Sequence, residues 1–196
     1  MSNAVGSEET ALIERACHGE LAAFDQLVLL HQQEVFAVAV RMLGSRDEAQ
    51  DIAQETFVRA YRAIGAFRQE AKLSTWLVSI AMNLCRNRRR WWARQRRVVT
   101  VSLDEPVELE EGVVTHDVAD PAPLPSALAE RRERERYVMA ALKLLDEADR
   151  TVIVLRDLQG YSYEEIAGML GIPLGTVKSK INRARWQLRA LLNGKL

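Results

Sequence analysis

Hydrophobic residues recur every three or four positions along most of the chain, which is typical of amphipathic α-helices. In the first half, three such apolar stripes follow Gly19, and Gly44 and Gly65 separate them from one another. The stripes run over residues 24–42, 49–64 and 73–84. No segment shows the two-residue alternation of a β-strand. The pattern therefore predicts an all-α fold.

Shorter helices with clear boundary signals follow in the last third of the chain. Ser162 and Glu165 have the spacing of a capping box, and Gly160 precedes them as a helix stop. Gly171 and Pro173 then break the chain before a final helix, expected over roughly 174–192. This helix should bury four apolar residues: Val177, Ile181, Ala184 and Leu188.

The middle of the chain has the composition of a linker. Residues 98–127 contain four of the five prolines together with seven acidic and no basic side chains. Proline removes backbone donors and like charges repel, so this segment should be extended. We therefore predict two small helical domains, 1–97 and 128–196, joined by an acidic proline-containing linker over 98–127.

The balance of 27 basic and 27 acidic side chains conceals strong charge segregation. Residues 59–97 hold eleven bases and one acid, and residues 174–196 hold six bases and no acid. Each segment should create a local positive potential suited to a polyanion, of which nucleic acid is the obvious example. A solvated helix face is the alternative for either segment.

The segment 163–177 has the pattern of a helix-turn-helix. Ala167 is small where two helices would cross and Gly171 would form the tight turn. The wedge between the helices should be filled by Ile166, Leu170, Ile172 and Val177. The second helix would project Lys178, Ser179, Asn182, Arg183, Arg185 and Arg189 toward a major groove. A plain helical hairpin with a basic tail is the alternative.

The helix that begins at Leu73 changes from apolar to basic along its length. One ridge of this helix carries Asn83, Asn87, Arg90 and Arg94. Amides can read base edges while arginines hold phosphates. The neighbouring Trp91 and Trp92 either pack against the helical domain or stack on exposed bases, and Trp76 belongs to the apolar stripe and the core.

The preceding helix carries an acidic ridge. Asp47 and Glu48 are favoured in a first helical turn by the helix dipole. Asp51 and Glu55, four residues apart, should repel each other at a cost of roughly a few tenths of a kcal/mol. Such a pair indicates an interface with a basic partner or a solvated face.

Signals for catalysis, metal binding and membrane insertion are weak in this sequence. There is no phosphate-binding loop, and His18, His31 and His116 are isolated from one another. Cys17 and Cys85 belong to no ligand or disulfide pattern. No apolar run approaches the roughly 20 residues of a membrane span, and the first residues lack the features of a secretory signal. We expect no enzyme, no catalytic residues, no cofactor, no metal site and a cytoplasmic location.

Several motifs, taken together and in order, resemble those of the extracytoplasmic-function (ECF) sigma factors of bacterial RNA polymerase. They are Asp51-Ile-Ala-Gln-Glu-Thr-Phe57, the run Phe67 to Leu77 ending in Ser-Thr-Trp-Leu, Ile80-Ala-Met-Asn83 with its arginine tail, and Tyr161-Ser-Tyr-Glu-Glu-Ile-Ala167 through Gly175-Thr-Val-Lys-Ser-Lys-Ile-Asn-Arg-Ala-Arg185. The resemblance covers nearly the whole chain. It implies a stress-response initiation subunit that binds core RNA polymerase, recognises the minus-35 and minus-ten promoter elements and promotes melting.

The resemblance also implies roles for individual residues. Core polymerase would be bound by Asp51, Gln54, Glu55 and Phe57. Minus-ten DNA, including the melted strand and a flipped base, would be bound by Phe67, Lys72, Trp76, Asn83, Arg86, Asn87 and Arg90. Minus-35 DNA would be bound by Thr176, Lys178, Ser179, Asn182 and Arg183. The acidic linker would thread through the polymerase channels.

Some features fall outside this resemblance. The residue at position 182 varies among relatives, so its preferred base is not transferable, and the Trp91-Trp92 pair is not part of the family pattern. The family has many anti-sigma partners that mask the two domains, and nothing in this sequence names one. A free-standing helix-turn-helix regulator remains the alternative function, and a nucleic-acid-processing enzyme would need a carboxylate cluster that does not stand out.

Overall fold

The computed structural model describes residues 2–99 and 125–193, with side chains for 8–95, 130 and 133–193. Every regular element in these ranges is helical. The helices are α1 (Ser2–Cys17), α2 (Leu21–Leu43), α3 (Arg46–Ala63), α4 (Leu73–Val99), α5 (Pro125–Leu144), α6 (Glu147–Ile153), α7 (Tyr163–Leu170) and α8 (Leu174–Leu192). A 3₁₀ turn, Ile64–Ala66, follows α3, and a π-helical segment, Val154–Leu158, follows α6. The all-α prediction is confirmed.

Two compact units divide the chain. The first comprises the residues up to Leu43 and Asp47–Asn87, and the second contains α5 to α8. The arrangement into two helical domains agrees with the prediction. The linker predicted over 98–127 lies mostly outside the described residues, and the domain boundaries at 97 and 128 stay predictions.

The core of the first unit draws apolar side chains from all of its helices. Ile13 of α1, Leu27 of α2, Ala60 of α3 and Leu77 of α4 belong to one buried cluster. Leu27, Ala60 and Leu77 fall on the stripes predicted for α2 to α4, because residues three and four apart share a helix face. Burial of that face is what stabilises helices whose intrinsic propensity alone would not suffice.

Helix α1 was not predicted from the sequence. It packs along α2 and ends before Gly19, whose φ of 89° is accessible to glycine without strain. The contact includes a polar one, since His31 Nε2 of α2 lies 2.9 Å from Glu9 Oε1 of α1. His31 is buried in this contact.

The second unit packs α5, α6 and α7 against α8 through a core that includes Leu142, Ile153, Ile166 and Ile181. The buried Arg150 of α6 donates hydrogen bonds from Nη2 to the carbonyl oxygens of Lys143 and Leu145. The last carbonyl groups of a helix lack hydrogen-bond partners within that helix, so Arg150 caps the C-terminal end of α5. Burial lowers the pKa of Arg150 to about 10, so the side chain stays charged at neutral pH.

The helix-turn-helix prediction is confirmed in its main features. Ser162 and Glu165 form both hydrogen bonds of a capping box at the start of α7. Gly171 occupies the left-handed region with φ 63° and ψ 35°, and its N–H donates to the Ala167 carbonyl. The buried residues include Ile166 and Val177.

Three of the apolar side chains singled out in the sequence are less covered than Ile166 and Val177. Leu170 and Ile172 are only half-buried in the wedge, and Leu188 of α8 is half-buried instead of fully buried. The prediction relied on helical periodicity, which places a residue on a face but does not fix how far that face is covered. The segment Val154–Leu158 continues α6 as a π-helix.

Candidate nucleic-acid interface

The outer face of α8 carries most of the side chains predicted to contact minus-35 DNA. Lys178, Ser179 and Asn182 are exposed, and Thr176 is half-buried in the first turn. Ser179 Oγ donates to the Thr176 carbonyl at 3.0 Å, which fixes the hydroxyl near the start of the helix. The buried positions Val177, Ile181 and Ala184 lie on the other face. The helix therefore presents amide, hydroxyl and cationic groups to solvent, while its opposite face is packed in the core of the second unit.

Arg183 is also exposed, but its guanidinium is held by acidic residues of α6. Its Nε lies 2.8 Å from Asp149 Oδ2 and its Nη2 lies 2.5 Å from Asp149 Oδ1. Asp146 Oδ2 lies 3.7 Å from the same Nη2. The hydrogen bond with Asp149 raises the pKa of Arg183. Sequence reasoning missed this ion pair, because no local pattern connects residues 34 positions apart.

A second arginine of α8 pairs in the same way. Arg185 donates from Nε to Asp157 Oδ2 at 2.9 Å, and its Nη2 contacts the other oxygen of that carboxylate. The hydrogen bond with Asp157 raises the pKa of Arg185. Part of the positive charge of α8 is therefore neutralised by the unit to which the helix belongs.

The loop before α4 and the start of that helix bring two predicted minus-ten residues together. The rings of Phe67 and Trp76 pack with centroids 5.0 Å apart, and both side chains are half-buried. Lys72, the residue immediately before α4, is exposed. Within this loop Gln69 adopts a left-handed conformation with φ 55°, which is uncommon outside glycine. Trp76 is thus a partly exposed platform as well as a core residue.

Farther along α4, three of the predicted residues reach solvent. Asn83, Asn87 and Arg90 are exposed, whereas Arg86 is half-buried. Trp91 is 46% exposed and Trp92 is half-buried, so the two tryptophans differ in accessibility. The amide and guanidinium groups lie at helical spacing, so this ridge can contact successive units of a nucleic-acid strand.

The acidic ridge of α3 is less repulsive than its sequence indicates. Asp51 and Gln54 are exposed, and Glu55 is half-buried. Arg59 Nε donates to Glu55 Oε1 at 2.7 Å, which offsets the repulsion between Glu55 and Asp51. Phe57 packs against the core of the first unit and is only partly accessible. In the described ranges, no group of three His, Cys, Asp or Glu side chains could hold a metal ion.

Trp186 is a surface residue that sequence reasoning did not single out. It is 73% exposed on α8, although tryptophan is ordinarily well buried. Its position outside the apolar stripe of α8 was the available signal.

No helix in the described ranges has the length and apolar character needed to cross a membrane.

Family models match both parts of the chain. Sigma-70 region 2 matches residues 27–97, and Sigma-70, region 4 matches residues 135–188. The RNA polymerase sigma-H factor of Pseudomonas aeruginosa is 40% identical over 179 residues, covering 91% of this chain and 90% of the relative. The ECF RNA polymerase sigma-E factor of Escherichia coli K12 is 36% identical over 177 residues, covering 90% of each chain.

The chain belongs to the ECF sigma factors of RNA polymerase. As an ECF sigma factor it is a transcription initiation factor that binds core RNA polymerase and recognises promoter DNA. The resemblance drawn from the sequence motifs is thereby confirmed.

Solved structures of similar fold agree with this assignment. The sigma factor RpoE of Bartonella quintana, in complex with the anti-sigma factor NepR, has a TM-score of 0.67 and 26% identity over 88% of this ECF sigma factor and 98% of that chain. CnrH, in complex with the cytosolic domain of CnrY, has a TM-score of 0.65 and 28% identity over 96% of this chain and 99% of that chain.

Proposed function

We propose that this ECF sigma factor reads the minus-35 element with α8, binds the melted minus-ten strand with the Phe67–Trp76 segment and α4, and holds core polymerase through the acidic ridge of α3. One observation carries the proposal. The helix-turn-helix has its capping box and left-handed glycine in place, and α8 exposes Lys178, Ser179 and Asn182 on the face opposite its buried residues.

The minus-35 role follows from the chemistry of this face. An amide such as that of Asn182 can bond adenine with both its donor and its acceptor, and cationic groups can bind guanine or phosphate. The N-terminal residues of a recognition helix enter the major groove first. Thr176, Lys178, Ser179, Asn182 and Arg183 lie in the first half of α8 and suit this entry.

The minus-ten role rests on the partly exposed rings and the ridge of α4. A base extruded from the duplex needs an apolar or aromatic surface to compensate for lost stacking. Phe67 and Trp76 provide a ring pair, and Lys72 provides a cation for phosphate. Asn83, Arg86, Asn87 and Arg90 extend the polar surface along the helix. Capture of melted bases in this way would promote opening of the duplex.

The polymerase role belongs to the acidic ridge. Asp51, Gln54 and Glu55 lie at accessible positions of α3, with Phe57 partly exposed beside them. A surface of this kind complements a basic, helical partner such as the clamp helices of the largest polymerase subunit. We assign it to core polymerase binding.

The remaining parts of the proposal concern chemistry, partner and location. We infer that the protein performs no covalent chemistry, acts in the cytoplasm, and has domains bounded near residues 97 and 128. RpoE of Bartonella quintana is bound by an anti-sigma factor, and its similarity to this chain supports an anti-sigma partner here as well.

Transcription from a promoter library tests the assignment of α8 and α4. Holoenzyme is assembled with the wild type, with Asn182→Ala or with Asn83→Ala, and the promoters used are sequenced. Asn182→Ala should change the preference at an upstream position, and Asn83→Ala should reduce melting at the downstream element. The control Glu164→Ala removes an exposed carboxylate of α7 and should change neither. An unchanged promoter set with folded Asn182→Ala and Asn83→Ala would refute the assignment.

A further inference from the structure

Asp149 is a fully buried carboxylate whose two oxygens both face one arginine. The residue is 0% exposed, and its partner Arg183 comes from α8, on the opposite side of the contact between α6 and α8. A carboxylate removed from water requires a cation or several donors to stay charged. The two oxygens accept from Arg183 Nε and Nη2 at 2.8 and 2.5 Å.

The carboxylate is itself held in a fixed position. Asp149 lies in the first turn of α6, where its backbone N–H donates to Asp146 Oδ1 at 2.8 Å. The positive end of the helix dipole favours a negative charge there. Asp146, the N-cap of α6, places its second oxygen 3.7 Å from Arg183 Nη2. The guanidinium therefore contacts a rigid acceptor and not a mobile surface side chain.

The pair leaves one edge of the guanidinium available. A guanidinium has five N–H donors in a planar fork, and Asp149 uses one on Nε and one on Nη2. The second donor on Nη2 and the nearer donor on Nη1 lie parallel to each other and form the edge that points away from Asp149. Two parallel donors of this kind match the N7 and O6 acceptors that guanine presents in the major groove. Arg183 is 53% exposed, so part of the side chain remains accessible beside Asn182.

We propose that Asp149 is a positioning residue for promoter recognition, which fixes the guanidinium of Arg183 so that its free edge binds a guanine of the minus-35 element. The inference rests on the proposed minus-35 role of α8. Arginine loses conformational entropy when it binds a base, and a side chain whose rotamer is already fixed loses less of it. Asp149 touches no DNA in this arrangement and acts only through Arg183.

The neighbouring ion pair supplies a matched control. Arg185 and Asp157 are also joined by two contacts between α8 and the segment after α6. Here the carboxylate is 29% exposed, whereas that of Asp149 is completely buried. Asp157→Asn therefore removes a carboxylate of the same type, with the same kind of partner, from a position that does not hold Arg183.

The test measures base preference at each minus-35 position. Holoenzymes carrying wild type, Asp149→Asn, Asp149→Glu, Arg183→Lys or Asp157→Asn select from a library with a randomised upstream element. Asp149→Asn, Asp149→Glu and Arg183→Lys should each reduce the preference for guanine at one shared position, by about tenfold for the loss of a two-donor contact. Asp157→Asn should keep that preference.

Thermal unfolding and the variant Asn182→Ala separate the possible outcomes. Folded Asp149 variants that lose affinity equally for every sequence, or that keep the guanine preference, would overturn the positioning role. So would failure of both Asp149 variants to fold, since the carboxylate would then serve folding alone. If Asn182→Ala changes its own position while the Asp149 variants change none, only this inference fails. If neither changes any position, the minus-35 role of α8 fails with it.

Discussion

His31 is a buried histidine placed between two carboxylates of different helices. Its Nε2 lies 2.9 Å from Glu9 of α1, and its Nδ1 lies 3.9 Å from Glu34 of α2. Burial alone would lower the pKa of His31, but the interactions with Glu34 and Glu9 together outweigh it, and the net pKa is raised. The protonated form of His31 therefore stabilises the contact between α1 and α2 through its interaction with Glu9.

This arrangement predicts a pH dependence of stability. A pKa that is higher in the folded than in the unfolded state adds stability below the unfolded value of about 6.5. That contribution is lost as the pH rises through the folded pKa. The free energy of unfolding, measured by denaturant titration between about pH 5 and pH 9, should therefore decrease as the pH rises from about 6.5 through the folded pKa of His31, and this contribution should be gone above it.

The variant His31→Gln separates this effect from other titrations. Glutamine can still donate a hydrogen bond to Glu9 but carries no titrating charge. The stability difference between wild type and His31→Gln should therefore shrink as the pH rises. A difference that is constant or grows over the same range would show that the imidazolium does not stabilise this contact.

At the scale of elements, the turn between α7 and α8 depends on one glycine conformation. Gly171 has φ 63°, and a Cβ added there would meet no atom within 4 Å. Gly168 lies inside α7 with equally open surroundings. The two glycines thus differ in backbone conformation and not in available space.

Opposite effects of the same substitution are expected at these two positions. Gly171→Ala should lower the free energy of unfolding of the C-terminal unit by roughly 1 kcal/mol, because an L-residue is strained in the left-handed region. Gly168→Ala should raise it by about 0.5 to 1 kcal/mol, because alanine favours a helix interior. Denaturant titration of both variants checks the signs. Equal effects at both sites would contradict the assigned conformations.

Sequence reasoning reached the elements through local signals. Glycine stops, the Ser162–Glu165 capping box and apolar periodicity each depend on neighbours within a few residues, so α2 to α4, α7 and α8 could be predicted. Helix α1 carries a polar, acidic sequence whose helical state depends on packing against α2. Likewise, the pairing of Arg183 with Asp149 depends on how α6 meets α8. Tertiary contacts of this kind leave no trace in spacing.

In the candidate site, too, some features could be predicted from local sequence and others depend on tertiary structure. The exposed face of α8 followed from periodicity, and the structure places Lys178, Ser179 and Asn182 on it. The half-buried ring pair of Phe67 and Trp76 did not follow, because periodicity assigned Trp76 simply to the core. Partial exposure is set by the loop that precedes α4, whose path the sequence pattern does not determine.

At the scale of the whole molecule, acidic and basic side chains are concentrated in different segments of the chain. The acidic ridge of α3 and the basic surfaces of α4 and α8 would attract different macromolecules. The double variant Asp51→Lys and Glu55→Lys should weaken association with core polymerase by tenfold or more, as the like-charge cost at a complementary interface is on the order of several kcal/mol. Fluorescence anisotropy with labelled sigma factor measures this affinity.

A charge reversal elsewhere on the first unit is the control for that experiment. Asp25→Lys changes an exposed carboxylate of α2 and should leave polymerase affinity near the wild-type value. Circular dichroism establishes that the variants remain helical. Wild-type affinity in a folded Asp51→Lys, Glu55→Lys protein would assign polymerase binding to another surface.

The most direct test of the account joins polymerase binding to promoter choice. The purified protein is passed over a sizing column with bacterial core RNA polymerase, and the complex then transcribes a library of genomic fragments. We predict a stoichiometric complex whose transcripts start downstream of one common two-part sequence. Absence of a complex, together with tight and specific DNA binding by the protein alone, would contradict the account and favour a free-standing helix-turn-helix regulator.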